Sequence, residues 1–302
     1  MWRLSVLSWV TPALVLVGCG FDPGGDPTDA SVDSGADGIP PDGDDDGDTV
    51  PNGNDNCPTT ANTAQSDEDS DDRGDVCDNC PHVANTTLDN ADGDGVGDAC
   101  DPNPAGPDLI AAFYGFNGSA LPPEWGPVGL WTVSGGALHQ PSAEFGDRIL
   151  SVTGGVWADV VIDTSFDLIA LSPDIPPLSP SRSVSVLTRY APSTIYGTGY
   201  LCSAFQNVLD SNSATQISTR FQNDGTVVGG DADGMPVRMN PGGNVRMIAS
   251  SEGDRHACLT TTTATIGSSF QESLHTSGTV AIRTFGVAAN FRYVVVIAPG
   301  LQ

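Results

Sequence analysis

Lysine is absent from this chain. All 11 of its basic residues are arginine, which excludes Schiff-base chemistry and lysine nucleophiles. Against them stand 38 acidic residues, for a formal net charge of -27. A balance of that sign disfavours nucleic acid and anionic membrane surfaces as partners and makes metal cations the natural counter-ions. Missing too are His-Glu-x-x-His, Gly-x-Ser-x-Gly and a P-loop, the short signatures of zinc proteases, serine hydrolases and nucleotide enzymes. His82, His139, His256 and His275 are scattered along the chain; the first reads as a solvated loop residue and the others as structural or solvated. What is abundant is Gly, Pro, Ser and Thr with short β-branched runs, a composition that argues for β structure and against helices.

The charge is unevenly spread. Between Phe21 and Asp108 the one basic residue is Arg73, set among a dense series of aspartates, and beyond Asp108 the two signs come closer to balance. At least two regions follow, preceded by an address. Residues 1–18 carry an early charge, Arg3, and then an apolar stretch from Leu4 to Val17 broken by Ser8, Thr11 and Pro12. This is the pattern of a signal peptide, too short for a spanning helix of ~20 apolar residues. It ends in Leu16-Val17-Gly18-Cys19, which resembles the lipobox of bacterial lipoproteins. The resemblance implies lipidation at Cys19, membrane attachment through that lipid and, with Gly20 following, an outer-membrane or cell-surface destination. Residues 19–41 hold Asp, Gly, Pro and Ser with almost no apolar content and read as a disordered, solvated tether.

From residue 42 to 104 the acidic sequence is periodic. Asp44, Asp67 and Asn90 are spaced by 23 residues, as are Cys57 and Cys80, and Cys77 and Cys100. Asn56-Cys57-Pro58 recurs as Asn79-Cys80-Pro81, and Ala61-Asn62 as Ala84-Asn85. Each unit repeats one set of oxygen-bearing side chains: Asp44, Asp46, Asp48, Asn52 and Asp55; then Asp67, Asp69, Asp71, Asp75 and Asp78; then Asn90, Asp92, Asp94, Asp98 and Asp101. Alternate acidic positions let a tightly turning backbone aim several oxygens at one point. Calcium takes ~6–8 oxygen ligands from carboxylates, amides and backbone carbonyls. Each unit opens like an EF-hand loop, but the closing bidentate Glu and the flanking amphipathic helices are missing.

The pattern Asp-x-Asp-x-Asp, then Asp or Asn, then Asp-Asn-Cys-Pro, resembles the thrombospondin type 3 repeat. The resemblance implies an irregular stalk wrapped around a row of calcium ions, with the residues just named as ligands. Thr49 and Asp72 stand where that family commonly has glycine, and Asn52 and Asn90 replace aspartates, which implies a lower ligand charge in the first and third units. With no apolar core of their own, such units would fold only around their cations.

Apart from Cys19, the cysteines of an exported protein should be oxidised. The four in the repeats allow three pairings, of which the thrombospondin resemblance implies Cys57–Cys77 and Cys80–Cys100. A zinc site on Cys77 and Cys80 with His82 is the competing reading, opposed by the oxidising setting and the oxygen-rich neighbourhood. Cys202 and Cys258 fall in predicted strands and are expected to bridge neighbours.

From 109 to 302 short apolar runs alternate with Gly, Pro, Asn and Ser clusters. Strands are predicted over 110–116, 130–133, 156–166, 183–190, 200–209, 216–221, 245–250, 256–262, 279–285 and 291–298. So many strands without a helix imply a two-sheet sandwich. Phe113-x-Gly-Phe116, Leu121-Pro122-Pro123-Glu124-Trp125, Leu130-Trp131-Thr132-Val133, Gly199-Tyr200-Leu201-Cys202 and Gly278-Thr279-Val280-Ala281-Ile282 together resemble the concanavalin-like jelly rolls, laminin-G-like and glucanase-like modules among them. Glucanases of that fold carry a Glu-x-Asp-x-Glu strand motif, which this chain lacks; its nearest imitation, Glu144 and Asp147, falls in a predicted loop. Trp125, Trp131, Tyr196 and Tyr200 are candidate ligand-binding aromatics, with core filling as the alternative. Asp231-Ala232-Asp233-Gly234 reads as a polar turn, with a further calcium loop as the alternative.

The sequence thus predicts a calcium-binding surface lipoprotein displaying a ligand-binding β-sandwich, glycan-binding or adhesive toward a surface protein. The alternatives are a polysaccharide-acting hydrolase with a non-standard site and a spacer without ligand.

Overall fold

The computed structural model describes residues 40–126, 129–173, 181–193, 197–207, 216–224, 226–234, 239–261 and 265–300. The predicted signal peptide, Cys19, most of the predicted tether and Tyr196 lie outside the described residues. Among the described residues regular structure consists of a single 3-10 turn at Asn52–Asn54 and otherwise of β-strands.

The strands form two antiparallel sheets. The first runs β13 (Thr265–Gln271), β12 (Arg255–Thr261), β11 (Asn244–Glu252), β6 (Val160–Leu171), β15 (Val287–Pro299), β4 (Ala137–Gln140) and β3 (Thr132–Ser134), with β1 (Asp108–Tyr114) paired to the C-terminal half of β15. The second runs β10 (Thr226–Gly234), β9 (Gln216–Asn223), β8 (Thr198–Asn207), β7 (Ser181–Ala191), β14 (Thr279–Phe285), β5 (Asp147–Val152) and β2 (Trp125–Gly126). Period-two alternation packs one sheet on the other. On β11, Val245, Met247 and Ala249 face the core while Arg246, Ile248 and Ser250 point away. Val184 and Val186 of β7, Ile282 of β14 and Ile162 and Phe166 of β6 meet them. The result is the jelly-roll sandwich.

Three expectations change. Cys202 on β8 bonds to Cys258 on β12, so the disulfide joins the two sheets across the core and not neighbours within one. Asp231–Gly234 is neither a turn nor a calcium loop: it is the end of β10, paired with Thr219, Ser218, Ile217 and Gln216. The stalk, finally, does not stand free. β6 and β15 are buried on both faces, because the second and third repeat units lie on the outer side of the first sheet, with His82 against Asp163 and Tyr293 and Val96 packed among Val161, Tyr293, Val295 and Ile297.

Candidate metal centre

Each repeat unit folds on its own carboxylates. In the first, Asp44 Oδ1 accepts the N–H of Gly47 at 2.8 Å, and its Oδ2 accepts that of Thr49 at 3.1 Å. Asp67 repeats this with Ser70 at 2.7 Å and Asp72 at 3.1 Å. These bonds curl the loop through left-handed residues, Gly47 (φ 78°), Ser70 (φ 65°) and Gly93 (φ 74°) at equivalent positions. Two residues on, Thr49 (φ 81°) and Asp72 (φ 73°) take the same conformation, so the turn that glycine would favour forms without it. The far end is closed by Asn52, Asp75 and Asp98, whose Oδ1 atoms accept the N–H groups of Asp45, Glu68 and Ala91 at 3.1, 2.9 and 2.7 Å.

What this folding gathers is three acidic clusters: Asp44, Asp46 and Asp48; Asp67, Asp69 and Asp71; Asp92, Asp94 and Asp101. Within each, one ligand oxygen per residue lies within 4.8 Å of the others. The sequence also grouped Asn90 with the third unit, where its Oδ1 accepts the N–H of Gly93 and its Nδ2 donates to Asp94 O.

The fit to calcium can be tested on the oxygens the fold leaves over. Asp55, Asp78 and Asp101 each use Oδ1 to accept the N–H two residues on, from Cys57, Cys80 and Asn103. Their Oδ2 atoms are buried without a partner, as are Asp46 Oδ2 and both oxygens of Asp69. Among the described residues every carboxylate oxygen in this state belongs to the repeats. A buried, unpaired acceptor is costly, and a hard cation bound by carboxylate oxygens resolves all of them at once. The titration behaviour agrees. Burial, then the charges of Asp71 and Asp78, pushes the Asp69 carboxyl up to about 7. Burial and neighbouring carboxylates likewise push up Asp46, Asp78 and Asp101. Asp48, Asp71 and Asp94 do double duty, since both their oxygens also accept backbone N–H groups.

The repeats are stapled by Cys57–Cys77 and Cys80–Cys100, which leaves no thiolate for zinc at that place. Gly74 and Gly97 let those staples close: a Cβ on Gly97 would stand 2.4 Å from Asn79 Oδ1, and one on Gly74 2.4 Å from Asn56 Oδ1. His82 corrects the sequence reading, for it is buried against the sandwich and not solvated. Its Nε2 lies 3.2 Å from Asp163 Oδ2, and its ring 5.0 Å from that of Tyr293. Sequence reasoning also missed a role for Asn62, Asn85 and Asp108, whose N–H groups close the loops onto Asp48, Asp71 and Asp94. The recurrence of Ala61-Asn62 as Ala84-Asn85 was the available signal.

Trp125, Trp131 and Tyr200, the candidate ligand aromatics among the described residues, are core residues. Trp125 is 3% exposed and meets the Tyr114 ring edge-on at 5.0 Å, Trp131 packs 5.8 Å from Phe291, and Tyr200 is stacked on His256 between the sheets. Their size suits a two-sheet core, which is what withdraws them from solvent. Nor do Glu144 and Asp147 converge as a carboxylate pair. Asp147 opens β5 in an ion pair with Arg283, while Glu144 is exposed beside Arg148. A Ser–His contact exists, Ser251 Oγ to His256 Nδ1 at 2.7 Å, but both residues are fully buried and His256 Nε2 is taken by Glu272 O at 3.0 Å. It fastens the core.

Fold and site together define a jelly-roll sandwich carrying an acidic, disulfide-stapled repeat module. Residues 33–65, which include the first unit, match the family model of the thrombospondin type 3 repeat. None of the curated proteins compared with the chain matches it in sequence. Among solved structures it is similar to the carbohydrate binding module CBM66 from Bacillus subtilis, with 14% identity and a TM-score of 0.41 over 56% of this chain and 92% of that one. It is also similar to the exoplasmic/lumenal domain of VIP36 in its Ca2+/Man3GlcNAc-bound form (12% identity, TM-score 0.43, 60% and 86%). A further match is peanut lectin with a 9mer peptide (10%, 0.44, 65% and 99%). These are likenesses of fold. No helix among the described residues is long and apolar enough to cross a membrane.

Proposed function

We propose that this is an exported calcium-binding protein, anchored by a lipid on Cys19 at the outer membrane or cell surface, in which cation-loaded repeats hold a ligand-binding sandwich. The observation that carries the calcium reading is the set of buried, unpartnered carboxylate oxygens at recurring positions: Asp46 and Asp69, and Asp55, Asp78 and Asp101. Titration of the chain from Gly20 onward with calcium, followed by calorimetry and circular dichroism, tests it. Binding with a gain of protease resistance is the expected result; an inert titration overturns it.

For the sandwich, the reading is binding of an extracellular glycan on the outer face of the second sheet. Arg283 lies across that face, ion-paired with Asp147 of β5 and 3.3 Å from Gln222 Oε1 of β9. The Gln222 amide is buried and holds Arg283 from below, while the partly exposed guanidinium and carboxylate lie side by side and suit a polyhydroxylated ligand. Retention on immobilised polysaccharides, abolished by Arg283→Ala and without sugar release, is the expected outcome. Sugar release would favour the hydrolase, and no retention a spacer or a protein adhesin.

A further inference from the structure

The repeat units differ from one another at the points where they touch the sandwich. Val50, Arg73 and Val96 occupy one register position; Arg73 is exposed, whereas Val96 is fully buried on the first sheet. Thr59 and His82 share another; Thr59 is exposed, whereas His82 is buried against Asp163 and Tyr293. Asp163 is the receiving group. Arg246 Nε donates to its Oδ1 at 3.0 Å, and Tyr293 Oη donates to the same oxygen at 3.3 Å. Burial pushes its carboxyl up, but hydrogen bonds from His82 and Arg246 outweigh this and hold it below the ordinary carboxylate range. Around this polar centre Val96 closes on Val161, Val295 and Ile297, and Asn117 reaches Asp75 Oδ2 at 3.4 Å.

These docking residues are placed by the candidate cation ligands. The N–H of Val96 donates to Asp94 Oδ1 at 2.7 Å. His82 follows Cys80, whose N–H donates to Asp78 Oδ1 at 2.8 Å and whose sulfur is bonded to Cys100. Asp44 to Asp55, by contrast, make no hydrogen bond or ion pair to the sandwich among the described residues; their bonds beyond the loop go to Pro40, Pro41, Gly43, Cys57, Asn62, Thr63 and Gln65.

We propose that cation loading of the second and third units and their docking on the first sheet are one coupled equilibrium, so that docking tightens cation binding in those two units relative to the first and cation loss uncovers the outer face of the first sheet. The inference rests on the calcium reading above. Reciprocity follows from linkage: whatever free energy the cation adds to docking, docking adds to cation binding.

The test uses the chain from Gly20 onward, with calcium chloride as the probe. Hydroxyl-radical footprinting of Tyr293 is read in calcium and in chelator, alongside a calorimetric calcium isotherm. The variant Val96→Arg with His82→Thr installs residues that the other units already carry at those positions, so each loop keeps a compatible sequence. The expected result is a Tyr293 protected in calcium and reactive in chelator. In the variant it should be reactive in both, with calcium affinity of the tighter class lowered about tenfold, within the usual range of coupling between sites, and the weaker class unchanged. Calcium binding with Tyr293 equally protected in both conditions overturns the coupling and leaves the calcium reading intact. An isotherm without heat in the unmodified chain overturns both. The footprint of that unmodified chain needs no variant, so a misfolded double substitution does not blunt the test.

Discussion

The backbone N–H of Asp108 donates to Asp94 Oδ2 at 2.5 Å, the bond that Asn85 makes to Asp71 at 2.6 Å and Asn62 to Asp48 at 2.8 Å. Asn62, Asn85 and Asp108 are 23 residues apart, so the register of the repeats runs one step into the sandwich and fixes where β1 begins. Asp108 is buried there, its carboxyl pushed up to about 6 by burial and by the charges of Asp101 and Asp94.

Carboxylates of the repeats should therefore separate into two classes. Asp94 accepts the N–H groups of Val96 and Asp108, and Asp94→Ala removes both acceptors. At roughly 1.5–3 kcal/mol for a hydrogen bond to a charged group, urea unfolding should show destabilisation even in chelator. Asp69 has no partner for either oxygen, so Asp69→Ala should leave metal-free stability unchanged or raised while weakening calcium binding. Equal losses for both variants in chelator would refute the division.

Calcium affinity should depend on pH in a defined window. Asp69 titrates at about 7, through burial and then the charge of Asp71; Glu68 also titrates at about 7, through burial and then the charge of Asp75. Both folded values lie above the ordinary 3.8 and 4.5. Their protonated forms thus stabilise the metal-free fold fully below about pH 4, and that stability is lost as pH rises through about 7. Calcium requires the ionised carboxylates, so its affinity should climb across the same window, with proton release, and level off above it. Calorimetry at pH 6 in two buffers of different ionisation heat measures the released protons directly.

Thr49 is a β-branched residue at φ 81°, where a side chain costs on the order of 1 kcal/mol. Thr49→Gly should stabilise the calcium-loaded first unit by about that amount, offset in part by the added freedom of the unfolded chain. Gly97→Ala should act the other way, because its Cβ would meet Asn79 Oδ1 at 2.4 Å and the Asn79 carboxamide is held by Asn85 and by Leu88 O. Calcium-dependent melting curves of the two variants should move in opposite directions.

How much of this was legible in the sequence follows from the range of the forces involved. The repeat register could be read because each loop is built by contacts within about twenty residues, between charged groups that pattern visibly. Strands such as β14 and β7 could be read because their alternation faces a core. β10 and β13 could not: they are edge strands with a single neighbour in their sheets, so Asp231-Ala232-Asp233 looks like a turn. Trp125 and Tyr200 looked available because composition does not say which side of a strand a ring will take. His82 was illegible for another reason, since its partner Asp163 is 81 residues away. The docking of the third unit rests on one valine in an acidic loop, whose meaning depends on a surface assembled from β6, β11 and β15.

The two kinds of disulfide should report on two different transitions. Cys202–Cys258 closes a separation of 56 residues and joins the sheets, while each repeat disulfide closes 20. Chain-entropy estimates give about 4 kcal/mol for the first and about 3 kcal/mol for a loop of the second kind. Cys202→Ala with Cys258→Ala should lower the unfolding midpoint of the sandwich by a similar amount in calcium and in chelator, because no candidate cation ligand lies on β8 or β12. Cys57→Ala with Cys77→Ala should leave that midpoint in place and shift only the calcium-dependent step, since this staple ties the first unit to the second and touches neither sheet. Denaturant melts of both double variants, with and without calcium, decide it. A calcium-sensitive loss in the first, or a sandwich-wide loss in the second, would mean that the repeats and the sandwich unfold as a single body.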